Sequence, residues 1–220
     1  MEEKEIQIHP FVDKRIEDYC QTFHSKQETI LNELERTTHL KFLRPNMISG
    51  SWQGELLKIL TQLVNPKRVL EIGTFSGYST MCFCLSSQSD CIIDTIEAVE
   101  DYKSFLENLF LENNFAQKVN LHFGQAIDVI PRLNNSYDMI FIDADKANYP
   151  NYYSLVADKI NKGGLLVADN ILWYGKVAIS DAKDKETLAI RKFNQMITED
   201  NRFKNVILPI RDGLMIARRV

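Results

Sequence analysis

The sequence predicts an α/β fold, in which helices cover both faces of a mostly parallel, seven-stranded sheet that ends in an antiparallel hairpin. Three observations predict it. From residue 68 onward, short apolar runs alternate with helical segments, which is typical of parallel strands joined by crossover helices. Several of these runs end in a Glu or Asp, as strands do when they lead into a site at the sheet edge. Only Arg211, Asp212 and Gly213 separate the last two runs, which favours a hairpin.

The elements can be assigned in chain order. Apolar side chains recur at roughly helical spacing between Phe11 and Arg36, and residues 37–50, with Pro45, favour a loop. A helix at 52–64 is predicted to end before Pro66. Strands are then predicted at 68–72, 91–97, 119–123, 137–143, 165–169, 206–210 and 214–218, and helices at 77–85, 98–113, 126–132, 148–160 and 185–199. We find no linker or repeat, so residues 1–220 are predicted to form one domain, with residues 1–50 as an N-terminal helix and lid segment within it.

Composition restricts the classes of function. The chain has 220 residues, 45% hydrophobic and 25% charged, and a net charge of −4, so it lacks the basic surplus expected of a nucleic-acid-binding protein. No apolar run approaches the ~20 residues of a membrane-spanning helix. The first residues are acidic and polar, which does not favour a secretory signal. The four cysteines show no zinc or disulfide spacing, so we expect a cytoplasmic protein without membrane partners.

Two acidic strand ends stand out. Asp143 follows the apolar run 137–142, and Asp169 and Asn170 follow the run 165–168. In an open α/β sheet ligands bind beyond the carboxyl ends of the strands, and two carboxylates with an amide oxygen suit a hard divalent cation. Lys146 lies three residues beyond Asp143, within reach of such a site. The alternative is that Asp143 caps a helix and residues 169–170 form a turn.

A third strand end carries glycines. The strand at 68–72 contains Glu71 and is followed by Gly73 and Gly77, and the next predicted strand ends in Glu97. Glycines let a ligand approach the backbone, and the N-terminus of the following helix offers free N–H groups. An acid at the end of the second strand can accept hydrogen bonds from ribose hydroxyls. These features together indicate a nucleoside cofactor, although a plain strand-to-helix turn and a helix cap at Glu97 remain open.

Four segments resemble the cation-dependent, S-adenosylmethionine-dependent O-methyltransferases, a family that includes the catechol and caffeoyl-CoA O-methyltransferases and many bacterial relatives. They are residues 70–79, 141–149, 163–175 and 208–217, with the words Glu-Ile-Gly-Thr-Phe-Ser-Gly-Tyr-Ser, Asp-Ala-Asp-Lys-Ala-Asn-Tyr and Ala-Asp-Asn-Ile-Leu-Trp-Tyr-Gly. The word that contains Lys146 resembles the bacterial and plant branch. The resemblance implies a Rossmann-like class I methyltransferase fold for the chain.

The resemblance also implies roles for single residues. Asp143, Asp169 and Asn170 bind the metal, Mg²⁺ or else Mn²⁺ or Ca²⁺, and Lys146 is the base that acts beside Asp143 in catalysis. Trp173 and Tyr174 form walls of the acceptor pocket. Glu71 either lies near the methionine amino group or supports the turn, and Phe75 either edges the cofactor or belongs to the core. The cofactor residues implied are Met47, Ser49, Glu71, Gly73, Phe75, Ser79, Glu97, Ala126, Asp143 and Asp145.

The expected function is metal-dependent methyl transfer to a hydroxyl oxygen of a small catechol-like or vicinal-diol acceptor. Two alternatives stay open: the same chemistry on a hydroxyuridine in tRNA, for which Arg202, Lys204, Arg211, Arg218 and Arg219 would form a local basic patch, and a non-catalytic S-adenosylmethionine-binding protein. Relatives in this family are commonly homodimers. We therefore expect a two-fold dimer, to which the N-terminal apolar stripe or the C-terminal hairpin contributes.

Overall fold

A single seven-stranded sheet organises the computed structural model, which describes residues 12–220. The first five strands are parallel and lie in the order β3-β2-β1-β4-β5, and β7 and β6 complete the sheet in antiparallel orientation. This arrangement confirms the predicted fold class. The strands are β1 (Arg68–Ile72), β2 (Ile92–Glu97), β3 (Val119–Phe123), β4 (Tyr137–Ile142), β5 (Ile160–Asp169), β6 (Phe203–Leu208) and β7 (Leu214–Arg219).

Helices precede the sheet and fill the crossovers between its strands. Short 3₁₀ turns extend or precede several of them, so the predicted helix ends shift by a few residues. The helix predicted at 98–113, for example, begins only at Lys103, after a 3₁₀ turn at Glu100–Tyr102. The helices are α1 (Lys14–Thr22), α2 (Thr29–Lys41), α3 (Gly50–Val64), α4 (Tyr78–Ser86), α5 (Lys103–Glu112), α6 (Ala126–Val129), α7 (Tyr149–Val156) and α8 (Lys185–Glu199).

The N-terminal prediction needs correction. The apolar stripe assigned to residues 11–36 is divided between α1 and α2, and Phe11 lies outside the described residues. The break comes at Phe23, whose N–H bonds to the carbonyl of Cys20 and ends the first helix. α2 then runs to Lys41, well into the predicted loop, because Leu34 and Thr38 are buried against the domain. Strand β5 begins at Ile160, five residues before the predicted start, since Gly163 and Gly164 obscure its apolar pattern.

The two faces of the sheet pack against different helices. Along β1, Leu70 and Ile72 point toward α7 and α8, whereas Val69 points toward α3 and α4, as the two-residue period of a strand requires. The register aligns the ends of the central strands, with Ile72 beside Ile142 and Ile142 beside Ala168. The residues that follow these three strands therefore meet at one edge.

A buried carboxylate on β2 connects the strands β1, β3 and β4. Asp94 on β2 is 2% exposed and accepts hydrogen bonds from His122 Nε2 (2.9 Å), Asn120 Nδ2 (3.0 Å) and the Tyr137 hydroxyl (3.1 Å). Arg68 lies 3.8 Å away on β1. Burial alone would raise the pKa of Asp94, but the hydrogen bonds from these neighbours outweigh it and hold the pKa below its usual range. Asp94 is thus charged in the folded protein.

Asp94→Ala is expected to lower the free energy of unfolding by about 2–4 kcal/mol, because it leaves the Tyr137 hydroxyl buried without a partner. The folded-state pKa of Asp94 is depressed, so its contribution is present above the unfolded-state pKa of about 3.9 and is lost as the pH falls through the folded-state value. Denaturant titration at neutral pH and again below about pH 3 measures both effects.

The matched control is Asp90→Ala, because Asp90 is exposed and forms its ion pair with the exposed Lys67. It should barely move the denaturation midpoint. Equal midpoints for the wild type and Asp94→Ala at neutral pH would contradict the prediction.

No helix among residues 12–220 combines the length and the apolar character that crossing a lipid bilayer requires.

Candidate active site

A cavity of about 1040 Å³ lies at the carboxyl edge of the parallel strands. It is bounded by the ends of β1, β2, β4 and β5, and by the segment 43–49 that joins α2 to α3. Glu71 alone among the predicted site residues does not line it. The predicted residues that do are Met47, Ser49, Gly73, Phe75, Ser79, Glu97, Ala126, Asp143, Asp145, Lys146, Asp169, Asn170, Trp173 and Tyr174.

Gly73 forms the floor of the cavity where β1 ends. Its φ of +101° is a conformation that residues with a Cβ rarely adopt, and a Cβ there would lie 2.0 Å from the carbonyl oxygen of Asp143. Its N–H bonds to the carbonyl of Ile96, while the N–H of Asp143 bonds to that of Ile72. Only glycine lets these neighbouring strand ends approach so closely.

Glu71 lies beneath this turn and is fully buried. Its carboxylate accepts hydrogen bonds from the hydroxyls of Ser79, Thr80 and Thr95, which join β1 to α4 and β2. Burial raises the pKa of Glu71 to about 7 in spite of these bonds. The placement favours support of the turn over contact with a ligand.

Glu97 ends β2 and faces the cavity. Its two oxygens accept hydrogen bonds from the backbone N–H groups of Phe75 (2.7 Å) and Val99 (2.8 Å). Burial raises the pKa of Glu97, although backbone N–H groups around it act in the opposite direction. The side chain therefore anchors the turn that contains Gly73 and Gly77, the glycine turn, at the wall of the cavity.

An aromatic cluster joins the N-terminal helices to the cavity. Phe42, at the end of α2, packs against Phe75 and Tyr102 with ring centroids 5.1 and 4.8 Å away. Phe75 is half-buried, lines the cavity and belongs to this cluster, so its contact with the cofactor stays a prediction. The segment that begins at residue 43 carries Met47, which is half exposed, and Ser49, which is buried.

Asp143, Asp169 and Asn170 meet at the ends of β4 and β5. Asp169 is 3% exposed, accepts a hydrogen bond from Gln53 Nε2 on α3 (2.7 Å) and another from the N–H of Asn170 (2.7 Å). Burial and the neighbouring charge of Asp143 raise the pKa of Asp169. Asn170 has a φ of +58°, a conformation that Asn tolerates better than most residues.

These three residues fit a divalent cation by their chemistry. Within residues 12–220 no group of three or more His, Cys, Asp or Glu side chains is placed to hold a metal. Two carboxylates and an amide instead offer oxygen donors only, which Mg²⁺, Mn²⁺ and Ca²⁺ prefer. The open cavity beside them leaves room for oxygens from an acceptor.

Lys146 is held at the same edge. Its Nζ donates hydrogen bonds to Asp143 Oδ1 (2.8 Å) and to the hydroxyl of Tyr149 (3.0 Å), which donates in turn to the backbone carbonyl of Asp169 (2.9 Å). Burial would lower the pKa of Lys146, but Asp143 and Tyr149 raise it above its usual range in this structure. A divalent cation beside the amine would act in the opposite direction and lower this pKa, because like charges disfavour the protonated form.

The aromatic wall of the cavity rests on the hairpin between β6 and β7. Trp173 and Tyr174 have φ angles of +45° and +54°, which are unfavourable for such side chains. The Tyr174 N–H donates to Asp212 Oδ1 (2.6 Å), and the Leu172 N–H donates to the Asp212 carbonyl (2.9 Å). Gly213 packs so closely on Leu172 that a Cβ would lie 2.3 Å from its Cγ. The hairpin therefore fixes this wall.

Three residues that hold the site in place are not among those predicted from the sequence. Gln53 supports Asp169 from α3, Tyr149 bridges Lys146 and β5, and Asp212 holds the aromatic wall. Gln53 and Asp212 lie in sequence far from their partners, and no local pattern marks them. Tyr149 could have been found, since it lies three residues beyond Lys146 at the start of a helix.

Comparison with known proteins gives consistent matches. The model of the O-methyltransferase family matches residues 21–220. A protein of Dictyostelium discoideum named probable caffeoyl-CoA O-methyltransferase 1 is 32% identical over 204 residues, which cover 90% of this chain and 89% of that protein. The caffeoyl-CoA O-methyltransferase of Stellaria longipes is 29% identical over 83% of each chain.

Solved structures agree in fold. The O-methyltransferase TomG from Streptomyces achromogenes, crystallised with S-adenosylmethionine (SAM), has a TM-score of 0.85 and 26% identity, over 94% of this chain and 96% of that one. The O-methyltransferase from Bacillus cereus, in complex with S-adenosylhomocysteine (SAH), has a TM-score of 0.86 and 26% identity, over 94% of this chain and 97% of that one.

Proposed function

Because this chain belongs to the O-methyltransferase family and is an S-adenosylmethionine-dependent O-methyltransferase, we propose that it methylates a small acceptor with two adjacent oxygen atoms, with a divalent cation held by Asp143, Asp169 and Asn170. Such an acceptor is a catechol or another vicinal diol. The observation that carries the proposal is the meeting of three oxygen donors and one lysine at the edge of the large cavity.

The glycine turn would hold the nucleoside half of the cofactor. In this proposal Glu97 accepts hydrogen bonds from the ribose hydroxyls, and the backbone at Ala126 borders the adenine. Ser79 faces the methionine carboxylate near the start of α4, where N–H groups are free to donate. The methionine end is bordered by Gly73, Asp143 and Asp145, and is covered by Met47, Ser49 and Phe75. Glu71 supports the turn from below.

The metal site would set the position of the acceptor. When bound, a divalent cation supplies Lewis acidity, which lowers the pKa of a coordinated hydroxyl and fixes its orientation. Gln53 holds the Asp169 carboxylate at one oxygen, so the orientation of this ligand is set before any cation binds. Trp173 and Tyr174 would confine the acceptor ring at the mouth of the cavity.

Lys146 would take the proton of the attacked hydroxyl at Nζ in its neutral form, which a cation held by Asp143, Asp169 and Asn170 would favour. Its bonds to Asp143 and Tyr149 hold the amine at the edge where the acceptor oxygens would lie. Such a positioned base contributes about 10²–10⁴-fold to the rate. The remaining requirement is alignment of the acceptor oxygen with the methyl group, which the cavity walls provide by orientation.

A tRNA acceptor is the second candidate, and the position of the basic residues counts against it. Lys204 on β6 pairs with Arg218 on β7, and Arg218 pairs with Leu165 on β5. Leu165 lies four residues before Asp169, so at roughly 3.3 Å per residue both basic residues lie well away from the site. Arg202 bonds to Asp158 and Asp200, and Arg219 bonds to backbone carbonyls. Of the predicted patch, only Arg211 lines the cavity.

An acceptor assay with Mg²⁺ tests the choice. Homoprotocatechuate and ethylcatechol, which are small diphenols, should accept a labelled methyl group from SAM, whereas tRNA that contains hydroxyuridine should not. Methylation of the tRNA alone would reject the small-molecule acceptor. SAM binding without transfer to any acceptor would favour the non-catalytic alternative.

We also propose a two-fold dimer in which α1 contributes to the interface. α1 buries none of its residues, and it exposes Ile16, Tyr19 and Phe23 as an apolar stripe. A closed dimer would cover that stripe. Light scattering at micromolar concentration should give twice the 25.5 kDa of one chain, and Tyr19→Asp should shift the mass toward one chain. A wild-type mass near that of one chain would exclude the dimer.

The cytosol remains our proposed location. Cys20, Cys82, Cys84 and Cys91 are all free thiols, and burial raises the pKa of Cys82 and Cys84, so these two would stay unreactive thiols in a reducing compartment. Recovery of the protein from the periplasmic or extracellular fraction of its own cells would overturn this proposal.

A further inference from the structure

Arg211 lies at the tip of the β6–β7 hairpin and has no role in the proposed chemistry. It lines the large cavity together with Asp169, Asn170 and Tyr174. It also lines a second cavity of about 300 Å³, which lies among α1, α2 and the start of α3. Arg211 therefore stands where the two cavities adjoin, on the side of the metal ligands away from the glycine turn.

The backbone presents this side chain in a fixed way. Arg211 has a φ of +51°, a conformation that a residue with a Cβ keeps only where its surroundings hold it. The turn is closed by a bond from the Gly213 N–H to the Ile210 carbonyl (2.9 Å). The same turn is tied to the aromatic wall through Asp212, which accepts from the Tyr174 N–H. The backbone from which the Arg211 side chain extends is thus held as firmly as the aromatic wall formed by Trp173 and Tyr174.

The guanidinium forms no hydrogen bond or ion pair with another residue of the described part, 12–220. One of its nitrogens, Nη1, lies 3.9 Å from the position that a Cβ on Gly50 would take, so it extends over the start of α3. The carboxylates of the second cavity form their recorded contacts with residues other than Arg211. Glu17 lies 3.8 Å from Lys14, and Glu35 accepts from Gln27 (3.3 Å).

The other charged residues of the large cavity are placed differently. Glu186, from the first turn of α8, is an acid, and Arg44 lies directly before residues 45–47, in the segment that we propose covers the methionine end. Lys146 is already paired with Asp143. Arg211 is therefore the cation that the hairpin places beside Trp173 and Tyr174, and its donors are left for a ligand among the residues that the structure describes.

We propose that Arg211 selects an acceptor that carries a carboxylate in addition to its two adjacent hydroxyls. A guanidinium binds a carboxylate through two parallel N–H···O bonds, with more directional selectivity than an ammonium provides. The inference rests on the proposed function, because it assumes that the hydroxyls lie at Asp143, Asp169 and Asn170. The carboxylate arm then extends from that point toward the guanidinium at the hairpin tip, which a neutral arm cannot bind in this way and a cationic arm would be repelled by.

Three catechols of similar size test the selection: homoprotocatechuate with a carboxylate arm, ethylcatechol with a neutral arm and dopamine with an ammonium arm. The ratio of kcat/KM for homoprotocatechuate to that for ethylcatechol should be at least tenfold in the wild type. It should fall about tenfold in Arg211→Gln, and Arg211→Glu should favour dopamine over homoprotocatechuate. Arg132→Gln, the same charge change at an exposed site at the amino end of β4, should leave the ratio unchanged.

A binding measurement distinguishes failure of this inference from failure of the proposed function. Calorimetry on the complex with SAH measures the affinity for homoprotocatechuate and ethylcatechol without any turnover. If no catechol is methylated, the proposed small-molecule function fails, yet a preference for the carboxylate that Arg211→Gln removes still supports Arg211. Equal affinities in the wild type, or a preference that survives Arg211→Gln, would overturn the inference, as would selective binding of a nucleoside phosphate in place of the carboxylate.

Discussion

Asp169→Ala is expected to abolish methyl transfer and to leave SAM binding largely intact. Asp169 is the buried member of the proposed metal ligands, and it lies at the end of β5, away from the glycine turn. Removing its carboxylate leaves one charged ligand, so the rate at saturating SAM should fall by at least 10²-fold, as loss of a principal electrostatic group does. Initial rates with Mg²⁺ measure the effect, and calorimetry with SAH measures the cofactor site.

Two further variants make this test specific. Asp169→Asn keeps the shape of the side chain but removes the charge, so it should be nearly as inactive if the carboxylate serves a cation. Asp181→Ala removes a carboxylate from the exposed loop before α8 and should keep full activity. Asp169→Ala activity within tenfold of the wild type would exclude Asp169 from the proposed metal site.

Lys146→Ala is expected to lower kcat by about 10²–10⁴-fold, because it removes the proposed proton acceptor. The affinity for SAM should change little, since the contacts proposed for the nucleoside lie at β1, β2 and the residues after β3. Single-turnover rates distinguish a slower chemical step from slower product release. Lys192→Ala, at an exposed position on α8, is the matched control.

Tyr149→Phe examines how Lys146 is positioned. The variant removes the hydroxyl that accepts from Lys146 and donates to the Asp169 carbonyl, while Asp143 still holds the amine. We expect a smaller fall in kcat than for Lys146→Ala, with KM for SAM unchanged. A Lys146→Ala variant with wild-type kcat would contradict the role of Lys146 as the base.

Local patterns were sufficient to predict the sheet and the edge where the cavity lies. The runs that end at Asp143 and Asp169 are short and strongly apolar, and a parallel sheet necessarily brings their carboxyl ends together. The N-terminal helices were harder to predict. α1 buries none of its residues within the single chain. The spacing of apolar residues alone therefore does not show where the stripe of α1 ends and that of α2 begins.

The supporting residues of the site could not be predicted in the same way. The hydrogen bond from Gln53 to Asp169 joins residues 116 positions apart, and it exists only because α3 packs across the end of β5. Asp212 likewise acts on Tyr174 through the antiparallel return of β7 beside β5. Such contacts depend on tertiary packing, whereas the ligands themselves follow directly from where each strand ends.

The dependence of methyl transfer on a divalent cation tests the central proposal most directly. Transfer of a labelled methyl group from SAM to homoprotocatechuate should stop in excess EDTA and return when Mg²⁺ or Mn²⁺ is added back, while SAH binding persists in EDTA. The proposal predicts this result because Asp143, Asp169 and Asn170 provide only oxygen donors beside the acceptor end of the cavity. Full turnover in the presence of the chelator would contradict the metal-dependent mechanism.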